Sequence, residues 1–291
     1  MTTIVSGSAS QSLAAALARE LGARLAPVEY DRFPDGELFV ALDRDLAESS
    51  LDGERVIVVG ATASSDAHVE LLCLQDAVRE AGASELITIL PYMGYGRQDE
   101  AFEPGQPVSA RAMARAISSG TDRVLVVTPH ERDVCSFFEP TATAVDGAAV
   151  LADPLPAALE DPVFLAPDAG ATGLAETVRD AYGRGTTDHF EKTRHSGTDV
   201  EITPSNVAVA GRDVVVVDDI VATGGTMSQA VGVLQDRDAC RVFVTCVHAL
   251  LARNALTRLW GAGVEAIYAT DTLERSVTTT SVAPVIADVL S

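Results

Sequence analysis

The sequence predicts an α/β protein of two tandem domains, each a mostly parallel β-sheet flanked by helices. Short runs of Val, Ile and Leu alternate along the chain with Ala-rich stretches of helical character. Apolar runs without a polar alternation are typical of strands buried on both faces, and their alternation with helices indicates a parallel sheet. The length of 291 residues leaves room for two domains of medium size.

The same strand–turn–helix pattern occurs in both halves of the chain. "TIVSGSASQSLAAALARELGARL" predicts a strand, a turn of small residues and a helix that ends at Gly22. "RVIVVGATASSDAHVELLCLQDAVREAGA", followed by "ELITILPY", repeats that pattern. In the second half, "PVFLAPDAGATGLAETVRDAYG" matches the opening segment, and "DVVVVDDIVATGGTMSQAVGVLQD" with "RVFVTCVHALL" matches the next one.

The spacing of the matching strands favours an internal duplication. Corresponding positions are offset by 159, 158 and 155 residues, in the pairs Ile4 and Val163, Val56 and Val214, and Leu86 and Arg241. Two coincidental strand–helix alternations are the alternative, but they would not be expected to keep a nearly constant offset. We therefore place the domains at residues 1–143 and 144–291.

The chain is strongly acidic, with 42 Asp and Glu against 21 Lys and Arg, and a formal net charge of −21. The acids are spread along the whole length, so neither nucleic acid nor an anionic membrane is an expected partner. A phosphorylated substrate would need a local cluster of cations or backbone N–H groups. Twenty of the bases are arginine and Lys192 is the single lysine, a composition that predicts a protein adapted to concentrated salt.

Cysteine usage and the absence of targeting signals predict a soluble cytoplasmic protein. The cysteines at 73, 135, 240 and 246 form no C-x-x-C pair, and we expect them to be small buried hydrophobes of a reducing compartment. "MTTIVSGSAS" has neither the charged nor the apolar region of a signal peptide, and no apolar run approaches eighteen residues.

The most specific segment is "VVVVDDIVATGGTM", residues 214–227. A buried strand is followed by two acids and a Thr-Gly-Gly-Thr turn that opens a helix. The glycines allow close approach of the backbone, and the first N–H groups of the helix suit a phosphate. Asp218 and Asp219 would repel a bare phosphate, so sugar hydroxyls or a magnesium ion are better partners for them. The segment therefore predicts a sugar-phosphate site; a plain βα turn is the alternative.

This segment resembles the phosphoribosyl-pyrophosphate loop of type I phosphoribosyltransferases. Over nearly the whole chain the motifs resemble the ribose-phosphate pyrophosphokinase (phosphoribosyl-pyrophosphate synthetase) family, through "SGSAS", "RFPDGELFV", "PYMGYGRQDE", "PVSARAMARAI", "TPHERDVCSFF", "APDAGA" and "EKTRHS". The resemblance implies two tandem phosphoribosyltransferase-like domains. It also implies transfer of the pyrophosphoryl group of ATP to the C1 hydroxyl of ribose 5-phosphate.

The resemblance assigns roles to residues in both halves. It implies a ribose 5-phosphate loop of Asp218, Asp219, Ala222, Thr223, Gly224, Gly225 and Thr226. It also implies that ATP is bound by Phe33, Asp35 and Glu37 in "RFPDGE" and by Arg97 and Gln98 in "YGRQDE". His130 and Asp168 become magnesium ligands, and Lys192 and Arg194 the cations of a short catalytic loop. Without the resemblance, "PDG" is a hairpin turn, Arg97 a solvated loop arginine and His130 a structural histidine.

Two departures from the family pattern limit what is carried over. "DEAFEPGQ" stands where many members have a basic stretch after "RQ", which puts further basic contacts to ATP in doubt. Ala222 stands where bacterial and animal members have an acid, and in lacking that acid the loop resembles archaeal-type loops. Because regulation by ADP or phosphate varies among the branches of the family, it is not carried over to this chain. The family assembles from dimers, so a homo-oligomer is expected.

Two other functional classes are compatible with parts of the sequence. A phosphoribosyltransferase that consumes phosphoribosyl pyrophosphate is one alternative, and a non-catalytic regulatory subunit is another. A Walker A loop is excluded because the single lysine follows Glu191, and "HERD" lacks the other protein-kinase motifs.

Overall fold

The computed structural model describes residues 1–43, 51–194, 200–204 and 208–291. The chain divides into two compact units. The first comprises Met1–Asp146, Asp271–Glu274 and Ser281–Ser291, and the second comprises Gly147–Thr270 and Arg275–Thr280. None of the helices in the described ranges combines the length and the apolar character that a membrane span requires.

The first unit contains a parallel sheet with strand order β2-β1-β5-β6-β7-β8 and a separate antiparallel hairpin, β3-β4. Val, Ile and Leu of the central strands are fully buried, as strands covered on both faces require. The strands are β1 (Thr2–Ser6), β2 (Arg24–Ala26), β3 (Val28–Arg32), β4 (Leu38–Leu42), β5 (Arg55–Val59), β6 (Glu85–Leu90), β7 (Arg123–Val127) and β8 (Thr141–Val145). Its first helices are α1 (Gln11–Leu21), α2 (Ser65–Glu80) and α3 (Ser109–Ser118).

The second unit contains a sheet of order β11-β10-β9-β12-β13-β14-β15, parallel except for the β10–β11 pair. Its neighbours β9-β12-β13 repeat the arrangement β1-β5-β6 of the first unit, in agreement with the predicted duplication. The strands are β9 (Val163–Ala166), β10 (Thr186–Arg194), β11 (Val200–Pro204), β12 (Asp213–Ile220), β13 (Arg241–His248), β14 (Ala266–Thr270) and β15 (Thr278–Thr280). The helices are α4 (Thr172–Tyr182), α5 (Gly225–Gln235) and α6 (Ala255–Gly261). The predicted α/β class, with mostly parallel sheets flanked by helices, is confirmed.

The C-terminal segment belongs to the first unit, which differs from the predicted domain 144–291. The last helix, α7 (Ala283–Leu290), packs against α1 and buries its apolar side chains there. The carboxylate of Glu274 accepts hydrogen bonds from the backbone N–H and the hydroxyl of Ser12, at 2.6 and 3.0 Å. These long-range contacts place the segment with a helix more than 250 residues away in the chain, which no local pattern indicates.

The expected burial of the cysteines is wrong for two of the four. Cys246 is buried beside Asp218, and burial followed by the charge of Asp218 raises the pKa of its thiol. Cys135 is half-buried. Cys73 lies on the outer face of α2 and Cys240 in the turn before β13, so both are exposed. All four lie within the described residues as free thiols.

A buried ion pair fixes the start of β12 against β13. The carboxylate of Asp213 is inaccessible to solvent and accepts from Nε and Nη2 of Arg241 at 2.9 and 2.5 Å. It also accepts from the backbone N–H of Glu160 at 2.6 Å. Burial raises the pKa of this carboxyl, but the hydrogen bonds from Arg241 and Glu160 outweigh burial, so the pKa is lowered overall.

We predict that Asp213→Asn lowers the free energy of unfolding by about 2 kcal/mol, because it removes the carboxylate from a buried pair. A lowered folded pKa means that the stabilisation is present above the unfolded pKa of about 3.9 and is lost as the pH falls through the folded value. The difference in the free energy of unfolding between wild type and variant should therefore become smaller only at acidic pH. Denaturant unfolding at constant salt measures it.

The matched control is Asp161→Asn. The carboxylate of Asp161 pairs with Nε of Arg212 at 2.9 Å, and its side chain is 71% exposed. The loss in this variant should be less than about 1 kcal/mol. Equal losses for the two variants would contradict the role given to the buried pair.

Candidate active site

The loop after β12 joins a buried strand to an uncapped helix. Val214–Val217 are fully buried, and Asp218 and Asp219 follow at the carboxyl end of the strand. Gly224 then adopts a left-handed conformation, with φ of 69°, and α5 begins at Gly225. No side chain caps this helix and its first turn contains no acidic residue. The first N–H groups of α5 are therefore not offered a side-chain oxygen by the cap position, and they suit an anion.

Gly224 is required by its conformation and by its neighbour. A side chain is strained at a φ of 69°, and a Cβ built there would lie 3.3 Å from the carbonyl oxygen of Ala255. The expected glycine turn before the helix is present, and the close approach of a ligand to it stays a prediction.

Three acids gather at the carboxyl ends of β9 and β12, which are parallel neighbours. Burial, and then the negative charge of Asp219, raise the pKa of Asp218 well above its usual range; the charge of Asp168 adds to the effect. The carboxylate of Asp168 also accepts from the backbone N–H of Gly170 at 3.1 Å. Negative charge held close together in this way favours a cation or hydroxyl donors at this edge.

Within the described ranges, no group of three or more His, Cys, Asp and Glu side chains has the arrangement to hold a metal ion. A metal at this edge would therefore depend on water and ligand oxygens for most of its coordination. Magnesium tolerates such a shell because it usually keeps several waters.

In the first unit, "RFPDGE" forms the turn of the β3–β4 hairpin. The backbone N–H of Gly36 donates to the carbonyl of Phe33 at 2.8 Å, and the carboxylate of Asp35 accepts from the N–H of Glu37 at 3.3 Å. The turn leaves Phe33 49% exposed, with its ring edge-to-face against Phe39 at 5.5 Å. The hairpin reading of "PDG" is thus correct, and the hairpin presents Phe33, Asp35 and Glu37 to solvent.

The loop after β6, which carries Arg97 and Gln98, is held against the start of α2. Gly94 donates its N–H to the hydroxyl of Thr62 at 3.0 Å, and a Cβ at Gly94 would overlap the carbonyl oxygen of Thr62. The hydroxyls of Tyr95 and Ser65 lie 3.0 Å apart. The loop therefore has one defined path over the edge of the sheet.

The start of α2 also holds the hairpin, because Arg32 pairs with Asp66 at 2.6 Å. The two segments predicted to bind ATP are thus joined to the same helical turn of the first unit. Arg97 is exposed, whereas the side-chain oxygen of Gln98 accepts from the hydroxyl of Ser109 at the start of α3, at 2.5 Å. Gln98 therefore also anchors its loop to α3, a role that the sequence does not reveal.

Sequence reasoning also missed Glu70. This buried side chain of α2 accepts hydrogen bonds from the backbone N–H and the hydroxyl of Ser8, both at 2.7 Å. It fixes the "SGSAS" turn after β1. Its position beside the buried apolar stripe of Leu71, Leu74 and Val78 was the feature of the sequence that could have indicated a buried carboxylate.

The remaining predicted residues lie at strand ends. His130 follows β7 and is exposed, two residues after Thr128, which has a positive φ of 38°. Lys192 and Arg194 were expected on a short loop, but their backbone lies in a strand. Both lie in β10 and pair with Ile202 and Val200 of β11, because the two strands form an antiparallel ladder. Their side chains lie outside the described part of the structure.

Comparisons with known proteins agree with this arrangement. Residues 2–120 match a family model described as the N-terminal domain of ribose phosphate pyrophosphokinase. Residues 147–268 match the phosphoribosyl transferase domain. The predicted phosphoribosyltransferase-like character of the second domain is confirmed.

The relatives match nearly the whole chain. A ribose-phosphate pyrophosphokinase of Halobacterium salinarum is 62% identical over 99% of this chain and 100% of its own length. That of Methanosarcina mazei is 44% identical over 99% and 95% of the two chains. The crystal structure of phosphoribosylpyrophosphate synthetase from Mycobacterium smegmatis is 27% identical, with a TM-score of 0.82 over 99% of this chain and 97% of that one. The chain therefore belongs to the ribose-phosphate pyrophosphokinase family.

Proposed function

We propose that the chain is an enzyme that transfers the pyrophosphoryl group of ATP to the C1 hydroxyl of ribose 5-phosphate. The products are phosphoribosyl pyrophosphate and AMP. The observation that carries the proposal is the uncapped, glycine-opened start of α5 beside Asp218 and Asp219, in a chain of this family. An anion cradle next to hydroxyl acceptors suits a sugar phosphate better than a dinucleotide.

In this proposal the loop from Ala222 to Thr226 holds the 5-phosphate. The backbone N–H groups of Gly224, Gly225 and Thr226 face the phosphate, and the exposed hydroxyls of Thr223 and Thr226 add donors. Asp218 and Asp219 accept from the ribose hydroxyls. A hydroxyl donor relieves the repulsion between the two carboxylates, because it brings positive hydrogen to each of them.

ATP binds to the segments held by α2 in the first unit. The exposed ring of Phe33 stacks on the adenine, and Asp35 or Glu37 accepts from its amino group. Arg97 presents a planar fork of donors to the triphosphate. Since the side-chain oxygen of Gln98 is bound to Ser109, Gln98 contributes through its amide N–H groups.

Magnesium, when bound, neutralises the phosphate charge, and His130 and Asp168 are the proposed protein ligands. The carboxylate of Asp168 lies at the acidic strand edge, and oxygen donors are those that magnesium prefers. His130 would supply a nitrogen, a less usual donor for this ion, so water and substrate oxygens would supply most of the other ligands.

Lys192 and Arg194 are the proposed catalytic cations. The C1 oxygen attacks the β-phosphorus in line, the bond from this phosphorus to the α,β-bridging oxygen breaks, and AMP leaves. The hydroxyl loses its proton in the same step. Negative charge builds on the equatorial and leaving oxygens, and a positioned cation can contribute roughly 10³ to 10⁵ in rate to such a transfer.

We place this activity in the cytoplasm, in a homo-oligomer built from dimers. Free thiols and the nucleotide substrates suit a reducing compartment.

The direct test mixes the purified protein with ribose 5-phosphate, ATP and magnesium in molar salt. We expect AMP in equal amounts to phosphoribosyl pyrophosphate, measured by chromatography. Lys192→Ala should lower kcat by at least about 10³ without changing Tm, because one of the cations that stabilise the transferring phosphoryl group is lost.

An exposed residue of the same unit, Arg237, provides the matched control, and Arg237→Ala should leave kcat unchanged. If no AMP forms but a base releases pyrophosphate from phosphoribosyl pyrophosphate, the chain is a phosphoribosyltransferase. If neither reaction occurs, the chain is a regulatory subunit.

A second prediction concerns the apo protein. Because burial and Asp219 raise the pKa of Asp218, protonation of Asp218 favours the folded state. That stabilisation is present below the unfolded pKa of about 3.9 and is lost as the pH rises through the folded value. Asp218→Asn removes the unfavourable charge, so at neutral pH the apo variant should have a higher Tm than the wild type and little activity.

Calorimetry of the apo proteins between pH 4 and pH 8, at one salt concentration, measures this difference. It should shrink toward acidic pH, where the wild-type carboxyl gains its proton. Asp153→Asn, at an exposed acid of the same unit, should show no such pH dependence. A lower neutral Tm for Asp218→Asn than for the wild type would contradict the account.

A further inference from the structure

Arg258 stands beside the phosphate loop although no motif includes it. The segment before α6 runs along this loop, since the N–H of Leu251 donates to the carbonyl of Val221 at 2.9 Å and that of Ala252 to Ala222 at 2.8 Å. α6 then begins at Ala255, and Arg258 lies in the last turn of this short helix. The loop and this turn therefore have a fixed relation within the second unit.

The guanidinium of Arg258 points at the first residue of α5. A Cβ built on Gly225 would lie 3.2 Å from Nη1 of Arg258. The absence of a side chain at Gly225 thus makes room for the guanidinium directly against the loop backbone. Arg258 is exposed, so its far side can meet a ligand that arrives from solvent.

This position is electrostatically unfavourable unless an anion binds. The start of a helix carries the positive end of its dipole, and a cation there is destabilising. The chain has 42 acidic residues, yet the first turn of α5 contains none. Within the described ranges, no ion pair or side-chain hydrogen bond involves the guanidinium of Arg258. Two sources of positive charge therefore converge on one point without a protein counter-charge.

We propose that Arg258 is a further substrate-binding residue that donates hydrogen bonds to the 5-phosphate of the sugar. The inference rests on the proposed function, and it makes Arg258 a determinant of specificity for a phosphorylated pentose over the free sugar. The planar guanidinium presents two parallel donors to one phosphate. Backbone N–H groups of the loop bind the other phosphate oxygens.

The test compares wild type, Arg258→Gln and Arg258→Lys in one salt buffer. Arg258→Gln should raise the KM for ribose 5-phosphate roughly 10- to 100-fold, the loss of a charge-assisted contact. Its kcat and its KM for ATP should stay within about twofold of wild type. Arg258→Lys, which keeps the charge but loses the fork, should fall between the two.

Two readouts separate this inference from the proposed function. Calorimetric titration with ribose 5-phosphate measures binding without turnover, and titration with ribose measures the sugar alone. Arg258→Gln should weaken the affinity for ribose 5-phosphate roughly 10- to 100-fold and leave the affinity for ribose unchanged. Arg237→Gln, at an exposed arginine beyond the far end of α5, should change neither.

Each outcome decides one of the two claims. A wild type that turns over ribose 5-phosphate while Arg258→Gln keeps the wild-type KM and affinity overturns the role of Arg258 alone. A wild type that binds no ribose 5-phosphate overturns both claims. If Arg258→Gln has a lowered Tm, Arg258→Lys replaces it as the test. A wild-type affinity of Arg258→Lys for ribose 5-phosphate would contradict the role given to the two parallel guanidinium donors.

Discussion

The uncapped start of α5 is the feature on which the rest of the proposed site depends. The left-handed Gly224 is the last residue of the loop after β12, and because it has no side chain, the first N–H groups of α5 lack a side-chain acceptor at the cap position. Because a buried or ligand-facing helix end needs an acceptor, the fold leaves one to be supplied from outside. The acids at the end of β12 then restrict that ligand to one that carries both an anion and hydroxyl donors.

The first unit has the same strand–turn–helix arrangement but supplies its own acceptors. Between β5 and α2, the hydroxyl of Ser64 caps the helix by accepting the N–H of Ala67 at 3.1 Å. Asp66 adds a negative charge in the first turn of α2. Glu70 binds the turn after β1 through Ser8. These side chains explain why two similar halves can have different ligands, since at the start of α2 an anion would compete with the carboxylate of Asp66.

The sequence was sufficient for the strands, the parallel sheets and the glycine loop, because each depends on residues close together in the chain. It was insufficient wherever a distant partner decides. α7 packs on α1 and Glu274 binds Ser12, so both segments join the first unit. Lys192 lies in a strand because β11 pairs with it. Gln98 is held by Ser109, and Arg258 meets Gly225 only in the folded unit.

In the proposed function, the second unit binds the sugar phosphate at the start of α5, whereas the matching start of α2 in the first unit does not bind it. This difference is tested most directly by following backbone amide signals in an NMR titration with ribose 5-phosphate. The largest shifts are expected at Thr223–Thr226, and only small ones at Ala61–Ala67, where Ser64 caps the helix and Asp66 adds a negative charge to its first turn. Equal or larger shifts at Ala61–Ala67, or none at Thr223–Thr226, would contradict it.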